Sequence, residues 1–265
     1  MKPARAASTA YIALLCLGAT ATACADDSAT VEHYEGQAYA ARSGDAVYRE
    51  SHWLYRQDGQ RHRLVLYRCS DGTPFGRKQI SEGNSALAPD FDFVDARDGY
   101  REGVRSSGED RQVYWQAATG KPARQEAVAL GPQAVADAGF DALVRQRWNE
   151  LAAGEAVHAA FLVPADFNFL PLVLRKDNSA SDAQFSAFRL RLQAWYAFAL
   201  PEFVLVYRNS DQRLQRFQGI STIRDSQGRR QNVRIEFGEA QNPLPASRAD
   251  VDAAAAEPLT NRCRS

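Results

Sequence analysis

The sequence predicts a mainly β (α+β) protein, a large curled antiparallel sheet or open barrel with one principal amphipathic helix covering its concave face. Three observations carry that expectation. Strand-like segments are joined in pairs by short turn-forming stretches, one segment only shows a sustained helical stripe, and the regular alternation of strand and helix that a parallel α/β fold requires is absent. At 265 residues, with 45% hydrophobic and 10% aromatic content, the chain has the material for a full core.

The chain opens with Lys2 and Arg5, an apolar run from about Ala10 to Ala19, and then small residues. This is the pattern of an export signal, too short to span a bilayer, and residues 1–25 are expected to be removed. Ala21-Thr22-Ala23 and Ala23-Cys24-Ala25 both satisfy the small-x-small rule. Ordinary cleavage into the periplasm is the favoured form and a lipid anchor at Cys24 the alternative. Removal of the segment takes Lys2 and Arg5 and no acid, leaving 30 basic against 32 acidic side chains, a balance of about −2. No basic field exists to hold nucleic acid, and no later segment is long and apolar enough for a transmembrane helix.

The domain proper is expected over residues 26–242. Val47 to Tyr55 and Gln60 to Cys69 are rich in aromatic and β-branched residues, and Asp58-Gly59 between them suits a two-residue hairpin loop. That loop sets Tyr55 opposite His62, Trp53 opposite Leu64 and His52 opposite Val65. One face then carries Val47, Trp53, Tyr55, Leu64 and Leu66, and the other Tyr48, Leu54, Val65, Tyr67 and Cys69. Neither face is cleanly polar, so both are expected to be covered or to line a cavity. Phe91 to Val94, Tyr100 to Arg105 and Gln112 to Gln116 continue the front set, about five strands in all.

Phe140, Val144, Trp148 and Leu151 recur at spacings of four, four and three, the stripe of an amphipathic helix ending near Gly154. A rear set follows: Val157 to Val163, Asp166 to Arg175, the alternating Phe188, Leu190 and Leu192, then Phe203 to Arg208, Arg213 to Ser221, Ile223, and Val233 to Phe237. Ala194 to Leu200 suits either a short helix or a loop. Residues 243–265, with prolines, an alanine run and charges, read as a loose tail, tied down only if Cys263 is bonded. Removing the leader leaves Cys69 and Cys263 as an even pair in an oxidising compartment, so a disulfide is expected; a buried thiol and a free one are the alternative.

Nucleophile and phosphate-binding motifs are absent: there is no GxSxG, SxxK, GxGxxG or Walker pattern. The four histidines show no metal-binding spacing, and no metal or cofactor is expected. Glu50 and His52 lie two apart on one strand face, roughly 7 Å between α-carbons, with Tyr67 opposite Glu50. Acid/base work and an ordinary polar cluster are the two readings of that trio. Asp90, Asp92, Asp95 and Asp98 lack the glycine and terminal Glu of a calcium loop and read as solvated strand-edge acids. Aromatic and aliphatic residues are denser than one face of a small sheet requires. Those assigned to an apolar ligand cavity are Phe140, Val144, Trp148, Phe167, Phe169, Leu190, Trp195 and Phe198, with plain core, or a patch at Trp195 to Leu200 that touches a membrane peripherally, as the competing assignments.

The front hairpin Val47 to Cys69, the helix around Phe140 to Leu151, and Phe203-Val204-Leu205-Val206-Tyr207-Arg208 followed by Arg213-Leu214-Gln215-Arg216-Phe217 give an element order that resembles the LolA-like and LolB-like periplasmic lipoprotein carriers. The likeness spans residues 33 to 237 as element order alone. It implies an open curled barrel with an apolar cavity, and carries over no functional positions. The expectation is a periplasmic, non-enzymatic binding or carrier protein for a lipid, acyl or other apolar ligand. An envelope hydrolase or isomerase with scattered acid/base residues, and an envelope interaction module, are the alternatives.

Overall fold

The computed structural model describes residues 31–83, 85–107, 110–193, 202–238 and 244–264. Eight strands form the front set: β1 (Val31–Ala40), β2 (Ala46–Gln57), β3 (Gln60–Arg68), β4 (Pro74–Ser81), β5 (Asp90–Asp95), β6 (Tyr100–Ser107), β7 (Asp110–Gln116) and β8 (Arg124–Val128). A two-residue strand, β9 (Ala134–Val135), leads into helices α1 (Gly139–Gln146) and α2 (Trp148–Ala152). The rear set is β10 (Val157–Val163), β11 (Asn168–Lys176), β12 (Phe185–Leu192), β13 (Phe203–Arg208), β14 (Leu214–Arg224) and β15 (Arg230–Glu236), followed by β16 (Leu244–Ala246) and helix α3 (Arg248–Ala256).

All the strands belong to one sheet. Its order runs from β8 down to β1, passes to β15 and then descends to β9, with β16 pairing β1 off this path. The front and rear sets are therefore two meanders that share β1 as their seam. Every pairing is antiparallel except β9 with β10. Asp58 (φ 51°) and Gly59 (φ 75°) take the left-handed conformations of a two-residue hairpin turn. The register they impose has Tyr55 against His62, Trp53 against Leu64 and Glu50 against Tyr67.

The sheet is not closed by hydrogen bonds; side chains bring its ends together. Ile80, Phe91, Val104 and Val113 of the front set pack with Ala136, Leu162 and Phe167 from the region around β10. The Arg124 guanidinium sits 4.5 Å from the Phe167 ring centre, tying β8 to the turn before β11. On the concave face α1 and α2 lie over β10–β13, burying Leu143, Val144 and Leu151 against Leu172, Leu174, Phe188, Leu205 and Tyr207. The single expected helix is two short ones. Arg147 (φ −105°, ψ 21°) leaves helical geometry, but its N–H still bonds the Leu143 carbonyl, so the stripe stays on one side.

The C-terminal segment is not loose. Ser247 and Asp250 form a reciprocal capping box at the start of α3, and Val251 and Ala254 bury against Trp53, Leu64 and Leu66 on the convex face of β2–β3. Arg68 holds Glu257 by two hydrogen bonds, of 2.9 and 2.8 Å, and Cys69 is bonded to Cys263 with α-carbons 5.5 Å apart. Both faces of the front hairpin are thus accounted for: α3 covers one, and the other faces the concavity. Among the described residues no helix is long and apolar enough to cross a membrane.

Candidate ligand cavity

The curl lines a cavity of about 990 Å³, partly open to solvent and at the upper end of the range of small-molecule sites. Its walls differ in chemistry. Phe140 of α1, Leu190 of β12, Phe203 and Leu205 of β13, Phe217 of β14 and Ile235 of β15 make an apolar side. The front strands and the α1 entry contribute Tyr34, Glu50, His52, Arg63, Lys78, Asp137 and Asp141. The reason lies in register. On β2 and β3 the inward positions include Glu50 and His52, and Arg63, Val65 and Tyr67, so polar and apolar groups share the concave face.

Most of the polar groups are spent on one another. His52 Nε2 lies 2.9 Å from Glu50 Oε2, and the His52 ring stacks flat on Tyr34, 4.6 Å between centres, with Phe237 edge-on. Burial pushes the His52 pKa below its ordinary value, with the Glu50 hydrogen bond opposing. With the Glu50 carboxylate as acceptor, the Nε2–H is the donor of this bond. His52 Nδ1 is buried without a partner among the described residues. Tyr67, opposite Glu50, is packed among Tyr48, Phe75 and Phe93, and burial drives its phenol pKa well up. All three residues reach the cavity wall, where Glu50 and His52 bond each other and the Tyr67 hydroxyl makes no hydrogen bond among the described residues.

Lys78 is 6% exposed, salt-bridged to Asp137 and near the Phe91 and Phe93 rings. Asp137 holds a left-handed φ of 44°. Asp141 accepts from Arg145 Nη2 at 2.7 Å and from the Tyr207 hydroxyl at 3.1 Å. The front-set aspartates are also engaged. Asp90 takes the Ser106 amide and hydroxyl, Asp92 the Tyr114 hydroxyl, Asp95 the Arg97 guanidinium and Asp98 that of Arg224. Asp95 is buried, not a solvated edge acid. Among the described residues no group of His, Cys, Asp and Glu is arranged to hold a metal.

Of the residues assigned to the cavity from sequence, Phe140 and Leu190 line it. Val144 is fully buried beneath α1, and Trp148 packs edge-on to Phe188 and Tyr207, 5.4 and 6.0 Å between ring centres, so both belong to the helix–sheet core. Phe167 (φ 50°) and Phe169 pack in the cluster where the sheet ends meet. Trp195 and Phe198 lie outside the described residues, as does all of 194–201. Sequence reasoning passed over Tyr34, Arg63, Lys78, Asp137 and Asp141. The hairpin register held the signal for Arg63, which shares a face with Val65 and Tyr67.

Fold and site together define an open, curled antiparallel sheet with an amphipathic internal cavity. Comparison with known proteins returns no match: no family model, no curated protein and no solved structure matches this chain.

Proposed function

We propose that this chain is an exported, non-enzymatic binding or carrier protein for an acyl-bearing ligand, its export directed by the basic-then-apolar leader. The observation that carries this reading is the cavity of about 990 Å³, with one wall formed by Phe140, Leu190, Phe203, Leu205, Phe217 and Ile235. An acyl chain laid on that wall gains about 0.8 kcal/mol for each methylene removed from water, so a chain of ordinary length supplies enough burial to bind without any reaction. The likeness in element order to LolA-like and LolB-like carriers points the same way. Against catalysis stands the geometry of Glu50 and His52, the one acid/base pair singled out: they bond each other, and the remaining ring nitrogen is buried. The test is to purify the protein from envelope fractions, extract it and search for lipid by mass spectrometry, then titrate the delipidated protein with a fluorescent fatty-acid probe. Bound acyl lipid and saturable probe binding are expected; absence of both removes the proposal.

A further inference from the structure

Two polar side chains of the cavity wall, Arg63 and Tyr34, carry donors without a hydrogen bond among the described residues. Arg63 projects inward from β3 with its side chain 18% exposed. Its one ion-pair partner is Asp141 Oδ2 at 3.9 Å, beyond hydrogen-bonding distance, and that oxygen already accepts from Arg145 at 2.7 Å. Among the described residues the Arg63 guanidinium makes no hydrogen bond. The other acids around it are engaged too: Glu50 with His52, Asp137 with Lys78, and Glu82 facing Arg61 at 3.6 Å. Tyr34, stacked on His52, likewise has a hydroxyl with no hydrogen bond among the described residues, and it lines the same cavity. Both positions adjoin the apolar wall through α1, where Phe140 lies 6.0 Å from Phe217 between ring centres and Asp141 is the next residue. A second, small pocket of about 50 Å³ shares Arg63, Asp141 and Arg145 with the main cavity, so Arg63 stands between the two.

A half-buried guanidinium with unspent N–H groups is the donor set that recognises a planar carboxylate through two parallel bonds, and a neighbouring phenol adds a third donor. We infer that Arg63 and Tyr34 form a head-group site for the carboxylate of a free long-chain fatty acid, whose chain lies along Phe140, Phe217, Leu190 and Leu205. The inference rests on the acyl-binding reading above and adds to it a specific head group and the residues that hold it. It sets the ligand's polarity: tail on the rear strands, acid at β3. It also separates a free fatty acid from a neutral ester or alcohol of the same chain, which would bury the same methylenes and leave the guanidinium unfilled.

The experiment uses the delipidated mature protein at pH 8, where a fatty acid is ionised, and measures displacement of a fluorescent acyl probe by dodecanoate and by methyl dodecanoate. Dodecanoate is expected to bind at least tenfold tighter than the ester. Arg63→Gln should bring the two together by weakening the acid alone, Arg63→Lys should restore part of the difference, and Tyr34→Phe should weaken the acid by a few-fold. Thermal melts of each variant establish that it is folded, and the comparison of acid with ester in the unsubstituted protein needs no variant at all. Equal binding of acid and ester overturns the head-group assignment and leaves the acyl cavity standing. Failure of both ligands to bind overturns the acyl reading and this inference with it.

Discussion

The apolar wall makes a quantitative claim that a single substitution can test. Leu190 sits on β12 between Leu174 on β11 and Phe203 on β13, 7% exposed, with its side chain on the cavity. Leu190→Trp places an indole across the space a bound chain would occupy while keeping the wall apolar. In the unsubstituted protein each methylene buried contributes about 0.8 kcal/mol, roughly fourfold in affinity, so lengthening the chain by two carbons should tighten binding about 15-fold until the cavity is filled. The indole should leave the slope for short chains unchanged and bring the plateau forward by several carbons. Isothermal titration across the saturated acids from eight to eighteen carbons reads both the slope and the plateau. An unsubstituted protein whose affinity is flat in chain length, or a Leu190→Trp variant with an unmoved plateau and an unchanged melt, would refute the idea that the chain lies on this wall.

Four further outcomes are expected. His52→Ala removes the donor to Glu50 and the stack on Tyr34, leaving a buried carboxylate without its hydrogen bond; a loss of about 3 kcal/mol in urea unfolding is expected, and combining it with Glu50→Gln should recover part of that loss. Burial depresses the His52 and His33 pKa values in the fold, so the unfolded chain takes up their protons first. Stability should be full above the ordinary histidine value of 6.5 and decline as pH falls below it, a decline that His52→Gln shallows in pH-stepped urea melts. Reduction of Cys69–Cys263, or Cys263→Ser, opens a link of sequence separation 194 and should lower stability by up to about 5 kcal/mol, read as a lower urea midpoint with α3 exchanging amide hydrogens faster. Gly139 starts α1 against the Leu87 carbonyl, which a Cβ would overlap, so Gly139→Ala should cost about 1–3 kcal/mol in the same unfolding assay.

Turn chemistry is why the front hairpin was legible residue by residue. Asp58-Gly59 permits a short list of loop geometries, and a two-residue loop fixes every cross-strand pair that follows. β4 and β8 escaped for opposite reasons. In β4 the inward Lys78 interrupts the apolar alternation, since its ammonium is neutralised by Asp137, a residue 59 positions away. In β8 four of five residues are exposed, so no apolar pattern exists to read. The C-terminal helix did carry a local signal, Ser247 followed three residues later by Asp250 ahead of an alanine run, but its burial depends on the convex face of β2–β3 being apolar. The cavity divided similarly. Leu190 was identifiable as an apolar residue of a curled sheet and Phe140 as one of the helical stripe, while Val144 and Trp148 share that stripe's periodicity and are core because of where the helices dock. Periodicity names the buried side of a helix; it does not say which part of that side meets protein and which meets space.

The interior space is partly open to solvent, so water fills it in the ligand-free protein, and what distinguishes an occupant is how well it replaces that water. Water can wet the side that presents Arg63, Lys78 and Asp141, where each molecule finds charged partners, but along Leu205, Phe217 and Ile235 it finds few. An amphiphile resolves both halves at once, displacing poorly held water from the apolar wall while giving the idle donors of Arg63 and Tyr34 an acceptor.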